Sequence, residues 1–361
     1  MNQGYPPVKS PLVSVVMSIF NGKQFLAEAV ESILEQEFQD FEFIMIDDGS
    51  TDGSAEELDF YQKLDDRVHV YHEVHSGLVS ALNRGCERAC GKYIARMDAD
   101  DIAMKDRLSQ QVEFMEGHPE IGLLGASVEW VNATGNSLFI SSYPIMSEEL
   151  KDELLLRRRC VFWHPTVLMR RDVLAKTTGY RPNVIGAEDY DLWLRIAEIS
   201  GLANLEKVLL KYRIHSGQVS IQRRMEQTRS TLAAQMAAKR RRDGLLDPLD
   251  GGTEITSDAL ISWGIPDSEQ KSEIVRDYRK WIGIMCNAGE HSSALRAARE
   301  VVKTRANGVE RWQIADIHLT VSKLLWQQRK FAESVVSAIR AFLVRPLVVG
   351  RPVKRFLMGS F

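Results

Sequence analysis

Three aspartates fall within four positions, Asp98, Asp100 and Asp101, at the end of the strand-like run 92–97. An extended backbone puts residues i and i+2 on one face, so Asp98 and Asp100 are expected to point the same way, about 7 Å apart along the strand. Like charges held that close repel unless a cation sits between them. Oxygen-only ligands select a hard divalent ion, Mg²⁺ or Mn²⁺, which keeps open positions for substrate phosphates. The competing reading is an acidic turn capping the next helix, which Asp101 precedes.

The elements leading to these residues weigh against a plain cap. Residues 13–19, 41–46, 68–74 and 92–97 read as strands, and the first is near-continuously apolar, as in a parallel sheet buried on both faces. Between them, 24–35, 54–64 and 77–90 carry apolar residues at helical spacing, for example Leu26, Val30, Ile33 and Leu34. This β-α-β-α-β-α-β order predicts a doubly wound sheet with right-handed crossovers. Ligands of such sheets bind beyond the carboxyl ends of the strands. Four polar clusters lie there: Ser18/Phe20/Asn21, Asp47/Asp48, His75/Ser76/Gly77 and Asp98/Asp100/Asp101.

Further on, the pattern predicts a helix over 104–116, strands near 121–131 and 137–142, and a helix near 147–157. A strand over 161–169 carrying His164, a helix over 189–200 and a strand over 205–212 follow. From about 218 the chain reads as helical, with a Gly/Asp/Pro-rich linker at 243–253. Segments 288–298 and 328–338 are similar at an offset of 40, with small residues at 294/334, 297/337 and 298/338. That spacing fits two degenerate helix-turn-helix repeats of tetratricopeptide type, or an ordinary bundle. The expected division is an α/β domain over 1–222 and a helical region over 223–361.

With 361 residues the chain is long enough for about two domains. A net charge of −3 gives no global pull toward nucleic acid. Cys86, Cys90, Cys160 and Cys286 have neither zinc-knuckle nor disulfide-framework spacing, which points to a reducing cytoplasm. No signal peptide is expected, and no uninterrupted apolar run is long enough for a bilayer. Residues 340–361 carry five basic residues, no acid and several large apolar residues. They read either as a segment touching anionic lipid on the inner face of the cell membrane or as a docked terminal helix.

Six motifs in order resemble family 2 glycosyltransferases over roughly residues 11–220. They are Val13–Gly22 (VSVVMSIFNG), Ile46–Ser54 (IDDGSTDGS), and Leu82–Gly85 followed by Ala95–Asp101 (ARMDADD). His164–Thr166, Gly186–Arg195 (GAEDYDLWLR) and Tyr212–Ser220 (YRIHSGQVS) complete the set. The resemblance implies a GT-A fold with a mixed sheet, a nucleotide-sugar donor with UDP-sugars favoured, Mn²⁺ or Mg²⁺, and hexosyl transfer with inversion. It implies that Ser18 and Phe20 line the nucleotide pocket and that Asp48, with Asp47, accepts from the imide N–H of the base. Gly77 would let the backbone approach the nucleotide, although His75 stands where the family often has Asn. Asp98 would hold the ribose, Asp100 would bind the metal, and Asp101 would support or join it. Asp189, beside Glu188 at a helix start whose dipole keeps it ionised, would be the general base.

His215 would reach the metal or the diphosphate; a satisfied core histidine is the competing reading. Asp191 and Trp193 read as structural. Processive members carry Gln-x-x-Arg-Trp; here the comparable place reads Gln222-Arg223-Arg224-Met225-Glu226, which implies addition of one sugar per encounter. The implied acceptor is a glycan or lipid-linked glycan of a bacterial surface polysaccharide. Two alternatives are a nucleotidyltransferase, which would want a Gly-rich basic loop after the first strand, and a helical-repeat protein that binds nucleotide without catalysis.

Overall fold

A computed structural model describes residues 10–143, 147–157, 159–217, 223–303 and 311–344. Strands β1 (Val13–Ile19), β2 (Phe41–Asp47), β3 (Val68–His72) and β4 (Tyr93–Asp98) alternate with helices α1 (Lys23–Leu34), α2 (Ser54–Leu64) and α3 (Leu78–Arg88). All four strands pair in parallel in the order β3-β2-β1-β4, so the expected doubly wound half is present. Their registers bring the carboxyl ends level: Ser18 pairs with Asp98, Ile19 with Asp47, and Asp47 with His72. The polar ends of separate strands thus form one row. Gly85 makes this tight packing possible, since a Cβ there would lie 2.4 Å from Val16 Cγ1.

The sheet then turns antiparallel. Strands β5 (Ile102–Ala103), β6 (Ile121–Asn132), β7 (Ser137–Ser141), β8 (Leu168–Arg170) and β9 (Gly201–Ile214) extend the order to β3-β2-β1-β4-β8-β6-β9-β5, with β7 on β6. Helix α4 (Arg107–Gly117) follows β5, the short α6 (Arg171–Leu174) follows β8, and α7 (Glu188–Ala197) precedes β9. The expected strand over 161–169 is instead a 3-10 turn, His164–Thr166, followed by the three-residue β8. Pro165 explains the change: it has no N–H for a sheet ladder and sets φ for a helical first turn. The Thr166 hydroxyl closes that turn by donating to the Trp163 carbonyl at 2.7 Å. The helix expected near 147–157 is α5 (Ser147–Lys151) continued by a π-turn, Asp152–Leu156.

The chain forms two compact units. One runs to Asn183 and includes Glu188–Arg213 and Ala237–Asp247; the other has Val184–Ala187, Ile214–Met236 and the chain from Pro248. Helix Arg224–Arg242 contributes to both. In the second unit, Asp267–Asn287 pairs with His291–Lys303, and Arg311–Gln327 with Phe331–Val344. These are two helical hairpins, an arrangement that both the repeat and the bundle reading allow. Ala294 and Ala298 of the first hairpin and Ser334 and Ser337 of the second face inward, where small residues let helices approach closely. Residues 345–361, most of the expected basic tail, lie outside the described residues.

Candidate active site

The three aspartates converge, though by a different route from strand alternation. Strand β4 ends at Asp98, and Ala99 and Asp100 form a turn. One carboxylate oxygen from each of Asp98, Asp100 and Asp101 lies within 4.8 Å of the others. At that separation each pair of full charges repels by about 3 kcal/mol at an effective dielectric near 20. Asp101 is fully buried. Its Oδ1 accepts the Arg213 amide at 2.8 Å, while its Oδ2 is buried without a hydrogen-bond partner. Burial, then the charges of Asp100 and Asp98, push its carboxyl well above the usual range. Burial also raises Asp98; Arg96 opposes that shift and Asp100 adds to it. An orphaned buried oxygen among crowded carboxylates is a donor set that fits a hard divalent cation.

Buried arginines hold this cluster. Arg96, two residues before Asp98 on the same strand face, pairs with the Asp98 carboxylate. Burial works against the Arg96 charge, but Asp98 and Asp101 outweigh it and hold the guanidinium above its usual value. Arg107 is fully buried and donates to the Arg96 carbonyl at 2.7 Å. Burial and the charge of Arg96 lower its pKa to about 9. Arg213 on β9 donates through Nε to the Asp100 carbonyl at 2.8 Å and pairs with Glu28. None of these three had an expected role. Arg96 was detectable as a charge inside an otherwise apolar strand, and Arg213 lies within the Tyr212–Ser220 motif.

At the neighbouring strand ends the expected nucleotide residues are close to one another. Ser18 is partly exposed beside Asp98 in the register. Phe20 is half exposed and stacks on His75, with ring centroids 4.1 Å apart. Asp48 is buried, and its carboxylate meets the Ser76 amide and hydroxyl, the Gly77 amide and the His75 ring at 2.8–3.1 Å. A carboxylate offers about four acceptor positions, and in the ligand-free chain those of Asp48 face the loop after β3. These contacts hold residues 75–77 beside the strand ends. Asp47 is likewise buried, accepting from the Ser50 amide at 3.0 Å and contacting His72 Nδ1 at 2.9 Å. Gly77, at φ 93° and ψ 160°, takes a backbone conformation that only glycine adopts readily. Arg84 and Arg88 tie Glu73 to α3 at 2.6 and 3.0 Å, fixing the start of the same loop.

Helix α7 supplies Glu188 and Asp189 in its first turn. Burial raises the pKa of Asp189 to about 6, against the lowering effects of the Tyr190 amide and Arg96, and with Asp98 adding to the rise. The charges of Arg96 and Asp98 at the end of β4 thus both act on Asp189, the first favouring and the second opposing its ionised form. Glu188 is buried. Beneath them, the Tyr180 hydroxyl and His164 Nε2 lie 2.9 Å apart. Burial and the charge of Arg96 push His164 well below its ordinary value, so it is neutral at pH 7. Asn83 clamps the Tyr180 backbone from both sides, donating to its carbonyl at 2.8 Å and accepting its amide at 2.9 Å. Asp191 is fully buried and paired with Arg195 at 2.7 Å and Arg181 at 3.4 Å. It and the fully buried Trp193 are structural, as expected. His215 belongs to the other unit, where its Nδ1 accepts the Gly217 amide at 3.2 Å; the three carboxylates form their group without it.

The sequence model described as Glycosyl transferase family 2 matches residues 14–178. The O-antigen biosynthesis glycosyltransferase WbnJ of Escherichia coli is 34% identical over 209 residues, covering 57% of this chain and 80% of that protein. The putative teichuronic acid biosynthesis glycosyltransferase TuaG of Bacillus subtilis is 32% identical over 215 residues, covering 58% and 82%. Among solved structures, the mannosyltransferase PcManGT of Pyrobaculum calidifontis, in complex with GDP-Man and Mn²⁺, aligns with a TM-score of 0.51 at 18% identity. That alignment covers 94% of this chain and 89% of the other, and it shows a shared GT-A fold.

Proposed function

The chain belongs to glycosyltransferase family 2, and from that premise we propose that it moves one sugar from a nucleotide-diphosphate sugar to an acceptor hydroxyl, with inversion and with a divalent cation. The observation that carries this reading is the pairing of a three-carboxylate cluster, one of its oxygens orphaned, with Asp189, a carboxyl near pKa 6 in electrostatic reach of it. Asp100 and Asp101 are the proposed cation ligands, and Asp98 is placed at the ribose end. A cation held there supplies Lewis-acid charge to a leaving diphosphate.

The remaining roles belong to the chain itself. Ser18, Phe20 and Gly77 line the nucleotide, with Phe20 presenting its free edge to the base. Asp47 and Asp48 shape the pocket through loops 50–54 and 75–77. Asp189 takes the proton from the acceptor hydroxyl as the acceptor oxygen bonds the anomeric carbon. The bond from that carbon to the phosphate oxygen breaks, and the electron pair leaves with the diphosphate. A base titrating near 6 is ionised at neutral pH yet basic enough to take that proton, which suits general-base work. Glu188 backs it from a buried position.

WbnJ and TuaG are named for bacterial polysaccharide synthesis, which supports a surface glycan or its lipid-linked precursor as the acceptor. Among the described residues no helix is long and apolar enough to cross a membrane. A thermal-shift panel of UDP-, GDP- and dTDP-sugars with Mn²⁺ or with EDTA tests the reading. A stabilising donor whose effect needs Mn²⁺ is expected. Stabilisation that is unchanged in EDTA, or absent for every donor, would reject it.

A further inference from the structure

The last described helix is amphipathic in the wrong sense for a core. In Phe331–Val344 the inward residues are small: Ser334, Ser337 and Ala341 are buried. Ser334 and Ser337 donate to the Ser322 and His318 carbonyls at 2.7 and 2.9 Å, which seats the helix on Arg311–Gln327. The large apolar residues face out. Phe331, Val335, Val336, Ile339, Phe342 and Leu343 are each 48–74% exposed. At about 100° per residue they span an arc of about 140°, centred opposite the buried serines. An arc of that width on a 14-residue helix is a face built to be covered, not a scatter of single apolar residues.

Charge decides what covers it. The one acid on the helix, Glu333, is paired with Arg299 at 3.0 Å. From Ser334 to Phe361 the sequence holds Arg340, Arg345, Arg351, Lys354 and Arg355 and no acid. A second copy would meet the same patch in a twofold interface and bring five more cations against these five. The chain's own residues 345–361 carry four of the five and offer nothing negative in return. An anionic lipid surface provides both an apolar layer and negative charge. We propose that the outward face of Phe331–Val344, flanked by the exposed Arg340, is a membrane-surface anchor that lies against an anionic bilayer. It stands apart from the transfer reaction and would hold the enzyme where lipid-linked acceptors reside.

Co-sedimentation of the full chain with vesicles tests this. Wild type is expected to bind phosphatidylglycerol-containing vesicles and not pure phosphatidylcholine. V335S/I339S/F342S, checked by circular dichroism and donor-induced thermal shift to be folded, is expected to bind roughly tenfold or more weakly. R351Q/K354Q/R355Q is expected to lose mainly the salt-sensitive part of binding. Equal binding by V335S/I339S/F342S, or no preference of wild type for anionic vesicles, overturns the proposal. So does a dimer in sedimentation velocity that V335S/I339S/F342S abolishes, because a second copy then covers the face. A chain ending at Val344 that binds vesicles more tightly than the full chain also overturns it, because the terminal segment is then the cover.

Discussion

Replacing Asp189 with asparagine separates a catalytic base from a helix cap, because the two roles predict opposite effects on stability. The folded-state pKa of Asp189 is raised from 3.8 to about 6, first of all by burial. The native state therefore binds this proton more tightly than the unfolded chain does. Stability contributed by the protonated form is present at low pH and falls as pH rises between about 4 and 6. A two-unit shift corresponds to about 3 kcal/mol of native-state cost at pH 7, and partial exposure of the side chain reduces this to about 1–3 kcal/mol. Asn keeps an oxygen to accept the Tyr190 amide and removes the charge. Asp189→Asn should therefore melt higher at pH 7, with the difference vanishing by pH 4. Transfer should fall by about 10²–10⁴-fold with donor binding intact. In wild type, kcat/KM should drop roughly tenfold from pH 7 to pH 5, as the ionised fraction of a group near 6 goes from about 0.9 to about 0.1. An ordinary aspartate would leave that range nearly flat. Donor-induced thermal shift, melting curves and product formation across pH read all three. A variant within about tenfold of wild-type transfer, or one that is less stable at pH 7, would refute the reasoning.

Three further outcomes follow from the geometry. Asp101→Asn keeps the acceptor for the Arg213 amide but removes one crowded charge; the cation-free protein should be more stable at pH 7 and Mn²⁺ should bind roughly tenfold or more weakly, with unchanged Mn²⁺ titration counting against ligation by Asp101. Asn83→Ala removes both bonds to the Tyr180 backbone and should cost about 1–3 kcal/mol in urea unfolding. It should lower kcat more than it raises the donor KM. Gly77→Ala meets nothing within 4 Å of the new Cβ, so its effect is backbone strain of about 1–3 kcal/mol. It should weaken nucleotide binding in titration, because the Gly77 amide anchors Asp48; wild-type affinity would show the loop to be dispensable.

The strand ends were legible because parallel strands buried on both faces are written as long apolar runs. The polar residues that interrupt them, at Ser18, Asp47, Asp48 and Asp98, mark where the chain leaves the sheet. Periodicity also identified the inward small residues of the helical hairpins. What could not be read was set by contacts distant in sequence. Asp100 joins the cluster through a turn anchored by Arg213, more than a hundred residues away, so strand alternation predicted the neighbour and missed the mechanism. The partners of Asp48, Ser76 and Gly77, lie on the next strand's loop, so its hydrogen bonds could not be read from its own segment. The dipole argument for Asp189 considered its own helix alone. Burial and the charges of Arg96 and Asp98 on β4 also act on Asp189, and none of these is visible in that helix's own sequence.

The buried arginines explain how such a site folds before any ligand arrives. Three carboxylates this close would be strongly destabilising in a low-dielectric pocket. Protonating all of them would remove the repulsion but also the affinity for a cation. Arg96 pairs with Asp98, and Arg107 lies behind it, so two positive charges partly balance three negative ones. The balance stops short of neutrality, and Asp101 keeps an unpaired oxygen. A divalent ion would reverse the local sign, which suits a site that must then receive a diphosphate. Arg96 also lowers the pKa of both Asp98 and Asp189, so one guanidinium tunes the cation side and the base side together. Any change at Arg96 should therefore alter both halves of the chemistry at once, whereas changes at Asp101 or Asp189 act on one.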